Sequence, residues 1–150
     1  DLLKEKELLF LTEAIRDLSS KIEQMQQKCD ATNNVHPICQ NIMEEPLKQK
    51  FHGIVSSMAM HHVEDTAALI QTFAKHLHKD GFIAIADLEE EDGTFHKHGN
   101  DGVHHLGFNK EALRSLVEEN GFHTVRFTTA YTMQRDSKEY PIFLMVAIKI

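Results

Sequence analysis

Glycine is missing where it would be most informative. All seven glycines lie at position 53 or beyond, so residues 1–52 contain none. A turn that needs close backbone approach to a ligand is therefore not expected there. Cysteine is scarce as well. Cys29 and Cys39 are the only two in 150 residues, too few for a disulfide framework. They read as free thiols in a reducing, cytoplasmic setting. Apolar residues never run together for roughly 18 positions, so no membrane span is expected. Residues 1–15 are amphipathic and lack a small-residue cleavage site, so no signal peptide is expected. Positive charge is in deficit. The formal net charge of −7 argues against a nucleic-acid backbone or an anionic membrane as main partner and favours a small or neutral substrate. There is no internal repeat or low-complexity tract.

The residues present show a regular alternation. Leu2, Leu3, Leu8, Leu9, Leu11 and Ile15, set among Lys and Glu, predict a helix over 2–15. Ser19 and Ser20 are caps for a second helix ending near Cys29. A short strand is expected over 35–39. Phe51–Met58 reads as a strand, with Gly53 marking a close approach. Asp65–Leu77 reads as an amphipathic helix with Leu69, Ile70, Phe73 and Leu77 on one face. Asp80-Gly81 turns the chain, and Phe82–Ala86 follows as a strand buried on both faces. Residues 88–107 form a long acidic connection rich in His and Gly, a length that suits a functional loop. Asn109 caps a helix over 110–120, and Gly121 stands at its C-terminal cap. Strands over 122–132 and 141–149 complete the chain. This order predicts an α/β fold with a mostly parallel sheet and an antiparallel hairpin at its C-terminal edge.

Three motifs in this order carry a resemblance. Phe51-His-Gly-Ile-Val-Ser-Ser-Met-Ala-Met-His-His-Val63 resembles the fourth strand and following loop of class I S-adenosylmethionine-dependent methyltransferases. The subgroup it resembles is that of the ubiquinone/menaquinone-biosynthesis methyltransferases. Lys79-Asp-Gly-Phe-Ile-Ala-Ile-Ala-Asp87 is similar to that family's fifth strand and its leader. Asn109–Leu113 and Glu118–Phe122 are similar to its last helix and sixth strand. The resemblance covers about residues 17–150. It implies a Rossmann-like three-layer sandwich, in one domain over 1–150 with its N-terminal strands incomplete. The family's second strand and its Gly-rich turn have no counterpart here. Either the chain is a fragment or a cofactor loop has dropped out of it, and the second is expected.

The resemblance also implies the chemistry: methyl transfer from S-adenosyl-L-methionine to a small-molecule acceptor. Two alternatives stand beside it, an inactive methyltransferase-fold interaction module and a His-rich metal-binding protein. Asp17 resembles the family's ribose-binding acid. Asn41 and Ile42 resemble its adenine-contacting position, with Asn where Asp is commoner. Ser57 and Met58 stand where the family touches the cofactor. His61 and His62 follow strand four, at the carboxyl edge where open α/β sheets bind ligands, and a general base is well placed there. Eleven histidines are many for this length. Those paired at 61/62, 76/78, 96/98 and 104/105 lack Cys or carboxylate at fixed offsets, so they read as solvated loop residues and no metal site is expected. Glu89–Asp92 reads as a solvated acidic turn, with a lid over the acceptor as its functional alternative.

Overall fold

The structure is a computed structural model that describes residues 8–12, 38, 40–96 and 99–150. Its elements are β1 (Leu8–Thr12), β2 (Phe51–Ser57), a 3-10 turn (Met60–His62), α1 (Thr66–His76), β3 (Leu77–Leu88), α2 (Lys110–Glu119), β4 (Phe122–Arg135) and β5 (Lys138–Lys149). The second predicted helix and almost all of the strand at 35–39 fall outside the described residues.

The helix expected over 2–15 is corrected at its centre. Leu8–Thr12 is a strand, parallel to β2, with Leu8 opposite Gly53 and Thr12 opposite Ser57. The run Leu-Leu-Phe-Leu is uniformly apolar, and such a run suits a parallel strand as well as a helix face. In doubly wound sheets the first strand lies beside the fourth. β1 lies beside β2, so it fills the first strand's position.

The sheet order is β1-β2-β3-β5-β4. β1, β2 and β3 are parallel, and β5 pairs antiparallel with both β3 and β4. The mostly parallel sheet is therefore also corrected: the sheet is mixed, and its antiparallel pairings are the longer ones. The reason is topological. α2 carries the chain past a vacant strand position, and the return strand β5 fills it. The C-terminal antiparallel hairpin does stand at one edge, as β5-β4. Within that hairpin, β4 is the outermost strand.

β2–α1–β3 and β3–α2–β4 both cross in the same direction along the sheet. With one crossover hand, both helices lie on one face, and they touch each other. A second helical layer is not among the described residues.

Local chemistry explains these elements. Asp65 caps α1 by accepting from the Ala68 amide at 2.8 Å. At the other end of α1, Lys149 of β5 donates to the carbonyls of Ala74 at 2.5 Å and Leu77 at 3.2 Å, so a cation meets the last turn's orphan acceptors. Burial, and then the nearby Lys50, push the Lys149 pKa down. Asn109 Oδ1 accepts from the Glu111 and Ala112 amides, as its position predicts. Leu69, Ile70 and Phe73 of α1 and Leu113 and Val117 of α2 pack on Ile54, Ile83, Ile85, Phe143 and Met145 of the sheet. Gly53 is a close approach, since a Cβ there would lie 2.4 Å from the Phe82 ring. Asp80-Gly81 turns the chain locally, since five residues of β3 advance there against two of β2. It forms an irregularity inside β3, where Leu77 and Phe82 oppose Phe51 and Gly53, and Asp80 adopts a φ of 61°. No helix among the described residues is long and apolar enough to cross a membrane.

The β4–β5 hairpin closes through Asp136 and Ser137, with φ of 48° and 66°. Two-residue hairpin turns with both φ positive favour Asn-Gly or Asp-Gly, because glycine adopts that conformation without Cβ strain. Ser137→Gly is expected to stabilise the protein by about 1 kcal/mol. Urea unfolding at equilibrium checks this, and an unchanged or lowered midpoint contradicts it.

Candidate active site at the carboxyl edge of β2 and β3

The last residues of β2 and β3 face the same edge of the sheet. After β2, Met58 takes a φ of 52° while its amide donates to the Ala86 carbonyl of β3 at 2.9 Å. A positive φ in a non-glycine residue stores backbone strain, and such strain gathers at functional sites. The chain then enters the 3-10 turn, which directs His61 back toward the end of β3.

There His61 meets Asp87. Both side chains have 0% exposure, and His61 Nδ1 lies 2.7 Å from Asp87 Oδ1. The same oxygen accepts from the Leu88 amide at 2.8 Å, and Oδ2 accepts from the His61 amide at 3.2 Å. Three N–H groups thus converge on one carboxyl. Because its oxygens act as acceptors, His61 Nδ1 is the donor of that contact, and in the neutral ring the lone pair then falls on Nε2. Nε2 is buried and has no hydrogen-bond partner. Leaving such an atom unsatisfied costs about 1–3 kcal/mol, which a bound partner would offset.

Two further imidazoles gather there. The ring centroids of His61 and His62 are 4.1 Å apart, and that of His96 lies 5.3 Å from His61 and 5.9 Å from His62. His62 Nδ1 is 2.7 Å from the Gly102 carbonyl, which can only accept, so Nδ1 carries the proton and Nε2 the lone pair.

The connection between β3 and α2 brings His96 and Gly102 here. At its root, the Phe108 amide donates to the Leu88 carbonyl at 2.9 Å and the Glu90 amide to the Phe108 carbonyl at 3.2 Å. Further along, the His104 and His105 amides donate to the His61 carbonyl at 3.0 and 3.1 Å. His105 Nε2 reaches the Val63 carbonyl at 3.0 Å and Thr66 Oγ1 at 3.1 Å. On the opposite side the hairpin clasps residues 92–95. Lys138 pairs with Asp92 at 2.7 Å, the Tyr140 hydroxyl meets Thr94 Oγ1 at 2.7 Å, and Arg135 donates to the Phe95 carbonyl at 2.6 Å. The Arg135 guanidinium also lies over the Phe95 ring. The acidic run is therefore partnered: Glu89 pairs with Lys110, Glu91 accepts from the Thr94 and Phe95 amides, and Asp92 pairs with Lys138.

The predicted site residues separate into groups. His61 and His62 come together, and Met58 packs near them against Leu88, Phe95, Tyr140 and Ile142. Ser57 is exposed at the carboxyl end of β2. Asn41 is exposed and holds a turn through the Met43 amide, while Ile42 is buried in the main core. Asp17 lies outside the described residues. Sequence reasoning missed Asp87 and His96. An acid closing the run Phe82–Ala86 was a usable signal for Asp87; nothing local distinguishes His96. The solvated-loop reading of the histidines is corrected at three positions. His61 is buried, His105 staples the connection to α1, and buried His76 accepts from the Leu47 amide at 3.0 Å.

Two outcomes are expected for the connection. Asp92 is held down at about 2, from an ordinary 3.8, first by its hydrogen bond to Lys138 and next by that to Thr94. A depressed carboxyl contributes stability above its unfolded value and loses it as pH falls toward about 2. Carbon-detected NMR titration is expected to show this low midpoint, and Lys138→Ala to return it toward 3.8. An unchanged midpoint in the variant contradicts the pairing. Gly107→Ala tests the root. Its φ is +78° and a Cβ would lie 2.1 Å from the Glu89 carbonyl oxygen. Strain of about 1–3 kcal/mol is expected, read as lost hydrogen-exchange protection at Phe108 and Glu90; retained protection contradicts it.

With this geometry in view, comparison with known proteins is informative. A family model described as a methyltransferase domain matches residues 7–126. An uncharacterized methyltransferase of Schizosaccharomyces pombe is 34% identical over 82 residues, covering 50% of this chain and 29% of that protein. The chain thus spans less than a third of that relative's length. Among solved structures, phosphoethanolamine N-methyltransferase 2 of Haemonchus contortus, in complex with S-adenosyl-L-methionine, superposes with a TM-score of 0.67 at 13% identity, over 88% of this chain and 40% of that one. The N-methyltransferase NodS of Bradyrhizobium japonicum gives 0.66 at 14% identity, over 94% and 72%. Identities this low speak for the fold, the α/β methyltransferase fold.

Proposed function

The chain belongs to the methyltransferase-domain family, and from that premise we propose that it transfers a methyl group from S-adenosyl-L-methionine to a small-molecule acceptor. The observation that carries this reading is the buried His61–Asp87 pair at the carboxyl edge of β2 and β3. Ligands of open α/β sheets bind at that edge. The Haemonchus protein's complex with S-adenosyl-L-methionine supports the cofactor. The net charge of −7 supports a small acceptor over a nucleic acid. The motif resemblance to the ubiquinone/menaquinone-biosynthesis subgroup supports the same class. Cysteine usage supports a cytoplasmic setting, and residues 1–150 act as one domain in this reading.

The residues present fit the cofactor at β2. Exposed Ser57 and the strained step at Met58 open the edge there, and both would hold it. Asn41 and the backbone at Ile42 would take the adenine side, and Asp17 the ribose. After β1 the fit ends, because Thr12 is followed by Glu13 and Ala14 in place of a glycine turn. When bound, S-adenosylmethionine supplies a methyl group already activated by its sulfonium. The protein's own part is alignment and a dry site. Asp87 fixes the His61 ring, and His61 presents the Nε2 lone pair where the acceptor's nucleophile must give up a proton. His62 lines the same space. The described part of the connection, which carries His96, lies beside it.

The absent glycine turn favours a second reading, a methyltransferase-fold module that binds partners without turnover. Isothermal titration of the full-length protein with S-adenosylmethionine separates the two. Binding is expected, and its absence overturns the enzyme reading. Asp17→Ala is expected to weaken binding by about 1–3 kcal/mol, the scale of a lost charged hydrogen-bond partner. Unchanged affinity removes the ribose assignment. Release of S-adenosylhomocysteine from small-molecule pools then identifies the acceptor.

A further inference from the structure

The geometry points to a transition-metal site of the zinc class, built by His61, His62 and His96 and oriented by Asp87. One ligand atom from each histidine lies within 4.8 Å of the other two. A tetrahedral ion with bonds of about 2.0–2.1 Å brings its nitrogens to about 3.3 Å from one another, so the widest separation closes by roughly 1.5 Å. His62 and His96 are half-buried, so the closure falls on them. His61 is fixed, and it supplies the anchor.

Three independent features support a ligand here. First, His61 Nε2 is wholly buried, carries the lone pair and has no hydrogen-bond partner. An imidazole nitrogen in that state suits an ion better than a void. Second, metal-binding histidines donate their other ring N–H to a carboxylate or a backbone carbonyl, which fixes the tautomer and raises ligand basicity. His61 does so to Asp87, and His62 to the Gly102 carbonyl. Third, the backbone is committed to the arrangement. The His104 and His105 amides anchor the connection to the His61 carbonyl, and the hairpin fixes Phe95, the residue before His96.

Neutral imidazole suits zinc, copper, iron and nickel, and a set of three imidazoles with no thiolate is that of a zinc centre that keeps an open position. The open position is where an acceptor's oxygen or nitrogen coordinates. A bound ion would lower the pKa of that group so that its proton passes to solvent, and His61 Nε2 would then be a ligand in place of the base role given it above. Asp87 is a positioning residue in this scheme, acting through His61. The metal site itself rests on the imidazole geometry alone, independently of the methyl donor.

The test uses the full-length protein without an affinity tag, stripped with chelator and titrated with Zn2+ by calorimetry and with Co2+ by visible absorption. One tight equivalent of Zn2+ per chain is expected, together with an intense tetrahedral Co2+ band. His62→Gln and His96→Gln are each expected to weaken Zn2+ at least 100-fold while the thermal unfolding of the stripped protein stays near wild type. Asp87→Asn is expected to weaken it 10- to 100-fold and to shift the Co2+ band, which a purely structural role would not do. His104→Gln, outside the cluster, is expected to change nothing. Several weak sites, or unchanged Zn2+ affinity in His62→Gln and His96→Gln, overturn the proposal. S-adenosylmethionine titration of the same variants keeps the two readings apart. Zn2+ lost with cofactor binding intact leaves the methyltransferase reading standing. Cofactor binding absent with Zn2+ bound overturns that reading alone.

Discussion

Asp87 closes β3 with no exposed surface, and its carboxyl gathers the His61 ring, the His61 amide and the Leu88 amide. Each contact ties a different part of the edge to that one group. The His61 amide fixes the 3-10 turn, the ring fixes the tautomer, and the Leu88 amide fixes the strand's own end. A buried carboxyl is tolerated only when its acceptor sites are filled. The sequence answers that demand by returning the chain after β2 toward β3. Parallel pairing makes the return possible, because Ser57 and Ala86 stand opposite each other at the same edge.

The long connection extends this arrangement outward. It is held at both strand ends and at α1, so it behaves as part of the fold. The hairpin contributes Arg135, Lys138 and Tyr140, all near its turn, with Tyr140 buried against Leu88, Phe95 and Ile142. This gives the insertion of β5 between β3 and β4 a consequence for the site. β5 runs against β3 with Leu88 opposite Ile142, so the hairpin turn projects beyond the carboxyl edge. A β5 at the outer edge would place Lys138 and Tyr140 one strand further away. Exposed pairs such as Asp92–Lys138 add little stability singly. Their effect is on geometry, since they fix Phe95 and with it the start of the segment that bears His96.

Much of the fold was legible in the sequence because periodicity reports local burial. β2, α1, α2 and its caps, and the two final strands follow from spacing and capping residues. β1 was not legible, since Leu8–Leu11 is apolar at every position and satisfies both periods. Asp80-Gly81 was legible as a turn because both residue types suit one. The place of β5 is a nonlocal choice that no short window encodes. The site divides in the same way. His61 and His62 were found because they follow a strand in a recognisable motif. Asp87 and His96 were missed because their meaning arises only when β3 and the connection meet the turn after β2.

The distribution of glycine now has a physical reading. In the resembled family, close backbone approach belongs to a turn after the first strand. Here β1 fills that strand's position, and the residues after it all carry side chains. The close approach is found instead at Gly107, whose missing Cβ lets the connection lie directly against the Glu89 carbonyl. At Gly102 a φ of +76° accompanies the carbonyl that holds His62. Only glycine adopts such angles readily at a point where the backbone itself must be the partner. Among the described residues, Gly102 thus places specialised backbone at His62, and Gly107 places it at the root of the connection. Substitutions at Gly102 or Gly107 act on His62 and His96 through the main chain, without touching an imidazole. A site built this way depends on the connection as firmly as on the strands beneath it.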